Sequence, residues 1–190
     1  MHRDQWNFPD IQPKLTATER LRHLIGDWAR IVPNDPATRL RLAASGDEAF
    51  VVRLFKTARA DDFATAGMPP AALEVLLEQQ FRAQAAGYAT QFPDAATLVV
   101  LHRDEPIGRL ILLASERSWH IVDILLLPTA RGRSIGTDII EAIVRAAAGE
   151  GASEVGLSVL FSNAAARRLY GRLGFAETGE GIHIPMAKRL

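Results

Sequence analysis

The sequence predicts one mixed α/β domain over residues 37–190, preceded by a short N-terminal extension over residues 1–36. At 190 residues and 48% hydrophobic content, the chain fits a single domain with a sizeable core. From Thr38 onward, strand-like and helix-like segments take turns. Their order is strand, two helices, three strands, helix, strand, helix, strand, which reads as a sheet flanked by helices. One strand-to-helix passage, Leu125 to Ile140 (LLLPTARGRSIGTDII), carries arginines, glycines and a serine where a simple turn would suffice.

The extension is punctuated by Pro9, Pro13, Pro33 and Pro36 and holds one expected helix. Thr16 and Glu19 have capping-box spacing, and Leu21, Leu24, Ile25, Trp28 and Ile31 recur along one face. That face packs on its own domain or forms a homodimer contact. TRLRLAA alternates as a strand, and DEAFVVRLFKTAR is a helix with acids first and bases last, as the helix dipole prefers. Gly67-Met68-Pro69-Pro70 introduces a second helix that ends before Pro93. ATLVVLHRDEPIGRLILLASE reads as a hairpin around Arg103-Asp104-Glu105-Pro106, and WHIVDILLLP continues the sheet. GTDIIEAIVRAAAGEGA is a helix closed by Gly149 and Gly151, EVGLSVL a strand, and SNAAARRLYGRLGF a short helix. In the tail GIHIPMAKRL, a last strand is expected, with Pro185 at a bulge or an edge.

Composition narrows the function. Lys plus Arg and Asp plus Glu are both 22, so the chain lacks the basic excess of a general nucleic-acid or membrane-surface binder, and any anion site must be local. With no cysteine, disulfides, thiolate zinc sites and thiol nucleophiles are excluded. The five histidines have no metal-ligand spacing, so no metal is expected. The N-terminus lacks an apolar segment and no apolar run could span a bilayer, so a soluble cytoplasmic protein is expected.

The arginine and glycine loop points to an anion. A strand leading through such a loop into a helix gathers backbone N–H groups that have no intrahelical partner, at the positive end of the helix dipole. Phosphate satisfies such donors well. Gly132 and Gly136 permit close approach, and Arg131 and Arg133 add charge. The plainer alternative is a glycine-permitted turn with solvated arginines. A P-loop is excluded because Thr137 follows Gly136 with no lysine between, and the three glycines of a dinucleotide fingerprint are absent.

Arg131-Gly132-Arg133-Ser134-Ile135-Gly136 resembles the Gln/Arg-x-x-Gly-x-Gly/Ala signature of the Gcn5-related N-acetyltransferases (GNATs), with Ser134 where the family usually has glycine. Asn163 followed by Leu169-Tyr170 and Gly174-Phe175 resembles the family's second cofactor motif. The resemblance runs from about Thr38 to the C-terminus. It implies the GNAT fold: a mixed, mostly antiparallel sheet flanked by helices, whose splayed central strands bind the cofactor. It also implies acetyl-CoA as co-substrate, its pyrophosphate held by Arg131, Gly132, Arg133, Ser134, Ile135, Gly136 and Thr137. Pantetheine would then pair with the backbone of Ile124, Leu125 and Leu126 and meet Asn163, which also suits a helix cap. A positive φ at Ser134 would cost about 1 kcal/mol.

Tyr170, with an ordinary pKa near 10, suits the acid that protonates the departing CoA thiolate; the plainer alternative, which its helix alone would favour, is a core aromatic. Asp123 stands among apolar neighbours and needs either a partner, such as Arg109, His120 or His102, or a cavity. The resemblance adds that some polyamine- and aminoglycoside-modifying members use an acid at this place to bind or deprotonate the amine. His120, at the start of its strand, reads better as a surface or hydrogen-bonded residue than as a catalyst. Gln80, Gln84 and Tyr88 share one helix face, which borders the acceptor or is simply solvated. Asp61 and Asp62 could attract a cationic amine. The resemblance thus implies direct acetyl transfer to a small primary amine within a ternary complex. The alternatives are a protein or peptide N-acetyltransferase whose N-terminal helix docks the partner, and a non-catalytic acyl-CoA-binding module.

Overall fold

The computed structural model describes residues 31–63 and 67–190; the helix expected after Thr16 and the side chains of Asp61 and Asp62 lie outside the described residues. Seven strands form one sheet in the order β1-β2-β3-β4-β5-β7-β6. They are β1 (Thr38–Leu42), β2 (Ala96–His102), β3 (Glu105–Ala114), β4 (Ser118–Leu126), β5 (Glu154–Leu160), β6 (Ala176–Glu177) and β7 (His183–Arg189). Among the described residues four helices flank them: α1 (Glu48–Arg59), α2 (Pro70–Gln91), α3 (Ile135–Gly149) and α4 (Ala164–Arg172). Every pairing is antiparallel except β4 with β5.

The apolar periodicities decide which helix covers which face. Ile139, Ile140, Ile143 and Ala147 of α3 pack on Leu98, Leu110, Leu112, Trp119, Ile121, Val155 and Leu157 of the sheet. On the opposite face, Phe50 and Leu54 of α1 pack on Val99, with Leu101 and Leu125 beside them. Each such side chain taken from water contributes on the order of 2 kcal/mol. The chain ahead of β1 is tied to α3. Ile31 lies in the α3-side core, Arg145 Nη2 donates to Val32 O at 3.0 Å, and the N–H groups of Asn34 and Asp35 donate to the Asp138 carboxylate at 2.8 and 2.9 Å. Arg103 and Asp104 close the β2–β3 hairpin, both at positive φ (53° and 66°), which suits the twist of a tight two-residue turn.

The tail departs from the sequence expectation. β7 lies inside the sheet between β5 and β6, and the two-residue β6 is too short to carry a periodic signal. Pro185 is tolerated because its carbonyl accepts from Thr178 N at 2.9 Å. Its main chain therefore faces the end of β6, and its missing N–H costs no bond to β5.

The decisive feature is where β4 and β5 part. They pair only from Ser118–Ile121 to Glu154–Leu157, although β4 continues to Leu126 and β5 to Leu160. Past that point β4 stays with β3, and β5 stays with β7. A register shift sits at the parting. Leu112 pairs with Ile121 and Ile111 with Asp123, leaving Val122 as a bulged residue that re-aims the strand.

Gly108 fixes the other edge of the diverging strand. A Cβ there would meet Leu126 Cδ2 and, at 2.6 Å, the main-chain oxygen of Leu125. Gly108→Ala is therefore expected to destabilise the protein by about 1–3 kcal/mol through overpacking. Urea denaturation would check this, and an unchanged midpoint would show that β3 and β4 do not approach so closely.

Candidate active site

The loop after β4 builds an open row of backbone donors. A 3-10 turn over Pro128–Ala130 ends at Arg131, Gly132 turns at φ 70°, and Ser134 caps α3 at φ 62°, ψ 1°. Arg131 N donates back to Pro128 O and Asp138 N to Ser134 O, while the N–H groups of Gly132 through Thr137 have no hydrogen-bond partner among the described residues. A Cβ built on Gly132 meets nothing within 4 Å, and on Gly136 only Leu126 Cδ1 at 3.6 Å, so the space over the row is clear. Arg133 is exposed, and Arg131, also exposed, donates from Nε to Leu126 O at 3.0 Å. These residues fit a pyrophosphate: many donors, a helix N-terminus, two cations and no side chain in the way. Ser134 occupies the left-handed region, at a cost of about 1–2 kcal/mol that glycine would not incur.

Beside this row lies the gap between β4 and β5. Leu127 N donates to Ile107 O at 2.9 Å, which sets the alternation. The main chain of Leu125 therefore faces β3, opposite Arg109, while those of Ile124 and Leu126 face the gap. Of the three residues expected to pair with pantetheine, Ile124 and Leu126 turn their main chain toward the gap, where Leu126 O already accepts from Arg131, and Leu125 does not.

Asp123 has a partner. Arg109, 4% exposed on β3, donates from Nη2 at 2.6 Å and from Nε at 3.2 Å, both to Asp123 Oδ2. The same Nη2 donates to Gln84 Oε1 of α2 at 3.2 Å. Of the three partners considered for Asp123, the structure selects Arg109. The α2 stripe is thereby turned inward at Gln84. Tyr88 joins it, its hydroxyl pushed up to about 12 by burial and then by the Asp123 charge. Gln80 is half-buried and makes no hydrogen bond among the described residues.

Tyr170 lies on α4, packed on the α3-side core and near the Phe175 ring (centroids 6.1 Å apart). Burial first and the Asp123 carboxylate second raise its pKa, so the phenol stays protonated at neutral pH. Asn163 caps α4, accepting from Ala166 N at 3.1 Å. Tyr170, Asp123, Arg109 and Tyr88 thus form one electrostatic neighbourhood. The sequence named Arg109 only as one possible partner. Its sharper signal was a lone cation inside the apolar run of β3, the counterpart of a lone acid inside that of β4.

His120 is a core residue. It is 3% exposed, stacks on Phe92 (centroids 5.5 Å, 18° between rings) and has its pKa lowered to about 4 by burial. Among the described residues there is no group of three or more His, Cys, Asp or Glu able to hold a metal, and no helix is long and apolar enough to cross a membrane.

The family model described as "Acetyltransferase (GNAT) family" matches residues 62–175. The chain belongs to the GNAT acetyltransferase family. Among solved structures, the PaiA N-acetyltransferase of Thermoplasma acidophilum, in complex with coenzyme A, is 15% identical with a TM-score of 0.61, covering 80% of this chain and 99% of that one. A GCN5-related N-acetyltransferase of Rhodopseudomonas palustris is 21% identical (TM-score 0.56, 84% and 98% covered). The ribosomal-protein-S18-alanine N-acetyltransferase of Escherichia coli is 18% identical (TM-score 0.56, 80% and 93% covered). At such identities, the similarity is one of fold.

His120 also sets a pH dependence. Its folded pKa of about 4 lies below the ordinary 6.5, so between those values the unfolded chain binds a proton that the native one does not. Stability should fall as pH drops through that window, by on the order of 3 kcal/mol for this group alone. Urea midpoints from pH 7 to 4 should show a shallower decline in His120→Gln than in the parent. Parallel declines would contradict a buried neutral imidazole.

Proposed function

We propose that the protein transfers acetyl from acetyl-CoA directly to the primary amine of a small molecule, with both substrates bound together. The observation that carries this reading is the row of N–H groups from Gly132 to Thr137, without partners among the described residues, set beside the gap-facing backbone of Ile124 and Leu126. In this reading the row and the guanidinium of Arg133 hold the pyrophosphate, and pantetheine lies in the gap between β4 and β5, directing the thioester toward Tyr170. Asn163 uses Oδ1 as a cap, which leaves its amide nitrogen for the cofactor arm.

The chemistry then needs few groups. The neutral amine attacks the thioester carbonyl carbon, the C–N bond forms and an oxyanion develops. Collapse of that adduct breaks the C–S bond, and the departing thiolate takes the phenolic proton of Tyr170. The amine gives up its proton to water or to Asp123. Asp123 Oδ1, which Arg109 does not engage, is the oxygen that would hold the incoming amine. Holding both substrates in line supplies much of the acceleration. The recessed position of Arg109 and Asp123 behind α2 supports a small acceptor over a protein surface.

Calorimetric titration with acetyl-CoA, followed by a thiol-release screen over amines, amino acids, polyamines and peptides, tests this. Binding with release on one small-amine class is expected. Binding with no release on any acceptor would favour a non-catalytic acyl-CoA-binding module. Tyr170→Phe should lower kcat by about 10²-fold or more while barely moving the Kd for acetyl-CoA; full turnover in that variant would place the acid elsewhere.

A further inference from the structure

We infer that the acceptor carries a carboxylate beside its amine, and that Arg109 Nη1 and Asp123 Oδ1 together recognise such a zwitterion, a free amino acid or a close relative. The inference rests on the acetyl-transfer reading and narrows it to a substrate class.

The ion pair leaves part of its hydrogen-bonding capacity unused. A guanidinium offers five donors and a carboxylate about four acceptor sites. Here both Arg109 contacts converge on the single oxygen Oδ2, and Nη2 also serves Gln84. Nη1 and Oδ1 make no hydrogen bond to any described residue. Nη1 is not sealed in the interior either, because the sole buried side-chain polar atom without a partner among the described residues is His102 Nε2. A pair whose only task was to hold β3 to β4 would do better with two parallel bonds, one to each oxygen. This one leaves a donor on the far side of the guanidinium and one carboxylate oxygen unused within a single ion pair.

Charge decides which ligand fits. Asp123 alone would attract any ammonium group, but Arg109 lies in contact with it and cancels most of that attraction. A simple amine or polyamine therefore meets a nearly neutral pair and must approach a guanidinium. An amino acid does not pay that penalty, because its carboxylate takes Nη1 while its ammonium group takes Oδ1. Tyr88, a neutral hydroxyl within the field of both groups, supplies a further hydrogen-bonding partner on the α2 side.

The test compares free amino acids with their own amides, which keep the amine and side chain but lack the carboxylate: leucine with leucinamide, phenylalanine with phenylalaninamide, lysine with lysinamide. Thiol release from acetyl-CoA gives turnover, and calorimetry on the CoA-saturated protein gives binding. At least one amino acid should exceed its amide by about tenfold or more in kcat/KM and in affinity, the scale of a charge-assisted hydrogen bond. Arg109→Lys, which keeps the charge but loses the fork, should shrink that amino acid's kcat/KM advantage over its own amide by about tenfold, whatever it does to both in common. Its melting temperature would verify folding. An amide turned over as well as its acid, an equal fall in both kcat/KM values, or no binding of any amino acid would overturn the inference. The first two of these would leave acetyl transfer standing. Selective binding of an amino acid with no thiol release would do the reverse, upholding the acceptor class and removing the transfer reading.

Discussion

The parting of β4 from β5 after Ile121 is the constraint on which the rest of this molecule depends. A parallel pair buried on both faces would ordinarily stay paired to its end, because each unpaired N–H or C=O in a sheet interior costs free energy. Here the bulge at Val122 turns β4 away just as pairing stops, and β3 and β7 keep the two strands ordered on their outer sides. The gap thus lies between two strands paired on their outer sides, with the main chain of Ile124 and Leu126 turned into it. Because β4 also leads directly into α3, the same strand delivers the donor row of Gly132 to Thr137 to the mouth of that gap.

Charge is handled locally throughout. The chain is formally neutral, so nothing draws a polyanion to its surface at large. The proposed anion site would rest on backbone dipoles with two arginines at the rim, and of these Arg131 braces the end of β4 by bonding Leu126 O. On the other side of the diverging strand, Arg109 and Asp123 neutralise each other in a recess. The strained conformation of Ser134 lies at the junction of loop and helix, where two left-handed residues, Gly132 and Ser134, aim successive N–H groups at one region. Serine tolerates this geometry at some cost in stability, which fits a position held for what its backbone does.

The sheet, the four described helices and the irregular loop between β4 and α3 were legible because each rests on a local pattern: apolar alternation, 3.6-residue periodicity, and glycines and arginines between a strand and a helix. What was not legible depends on register. Nothing in WHIVDILLLP marks Val122 as bulged, and without that register the main-chain direction of Leu125 cannot be assigned, so Ile124, Leu125 and Leu126 read alike. The partner of Asp123 was ambiguous for the same reason, since only the register with Ile111 brings Arg109 within reach. Two-residue β6 was invisible because a pattern of period two needs more than two residues. The inward turn of Gln84 depends on how α2 lies across the sheet, which a helix of weak amphipathicity does not announce.

The central claim, that the donor row at the start of α3 holds the cofactor phosphates, is tested most directly by amide hydrogen exchange read residue by residue with and without acetyl-CoA. The account predicts fast exchange for Gly132 through Thr137 in the free protein and strong protection in the complex, joined by Ile124 and Leu126 on β4. Saturating acetyl-CoA that protects other amides and leaves Gly132 through Thr137 unchanged would contradict it.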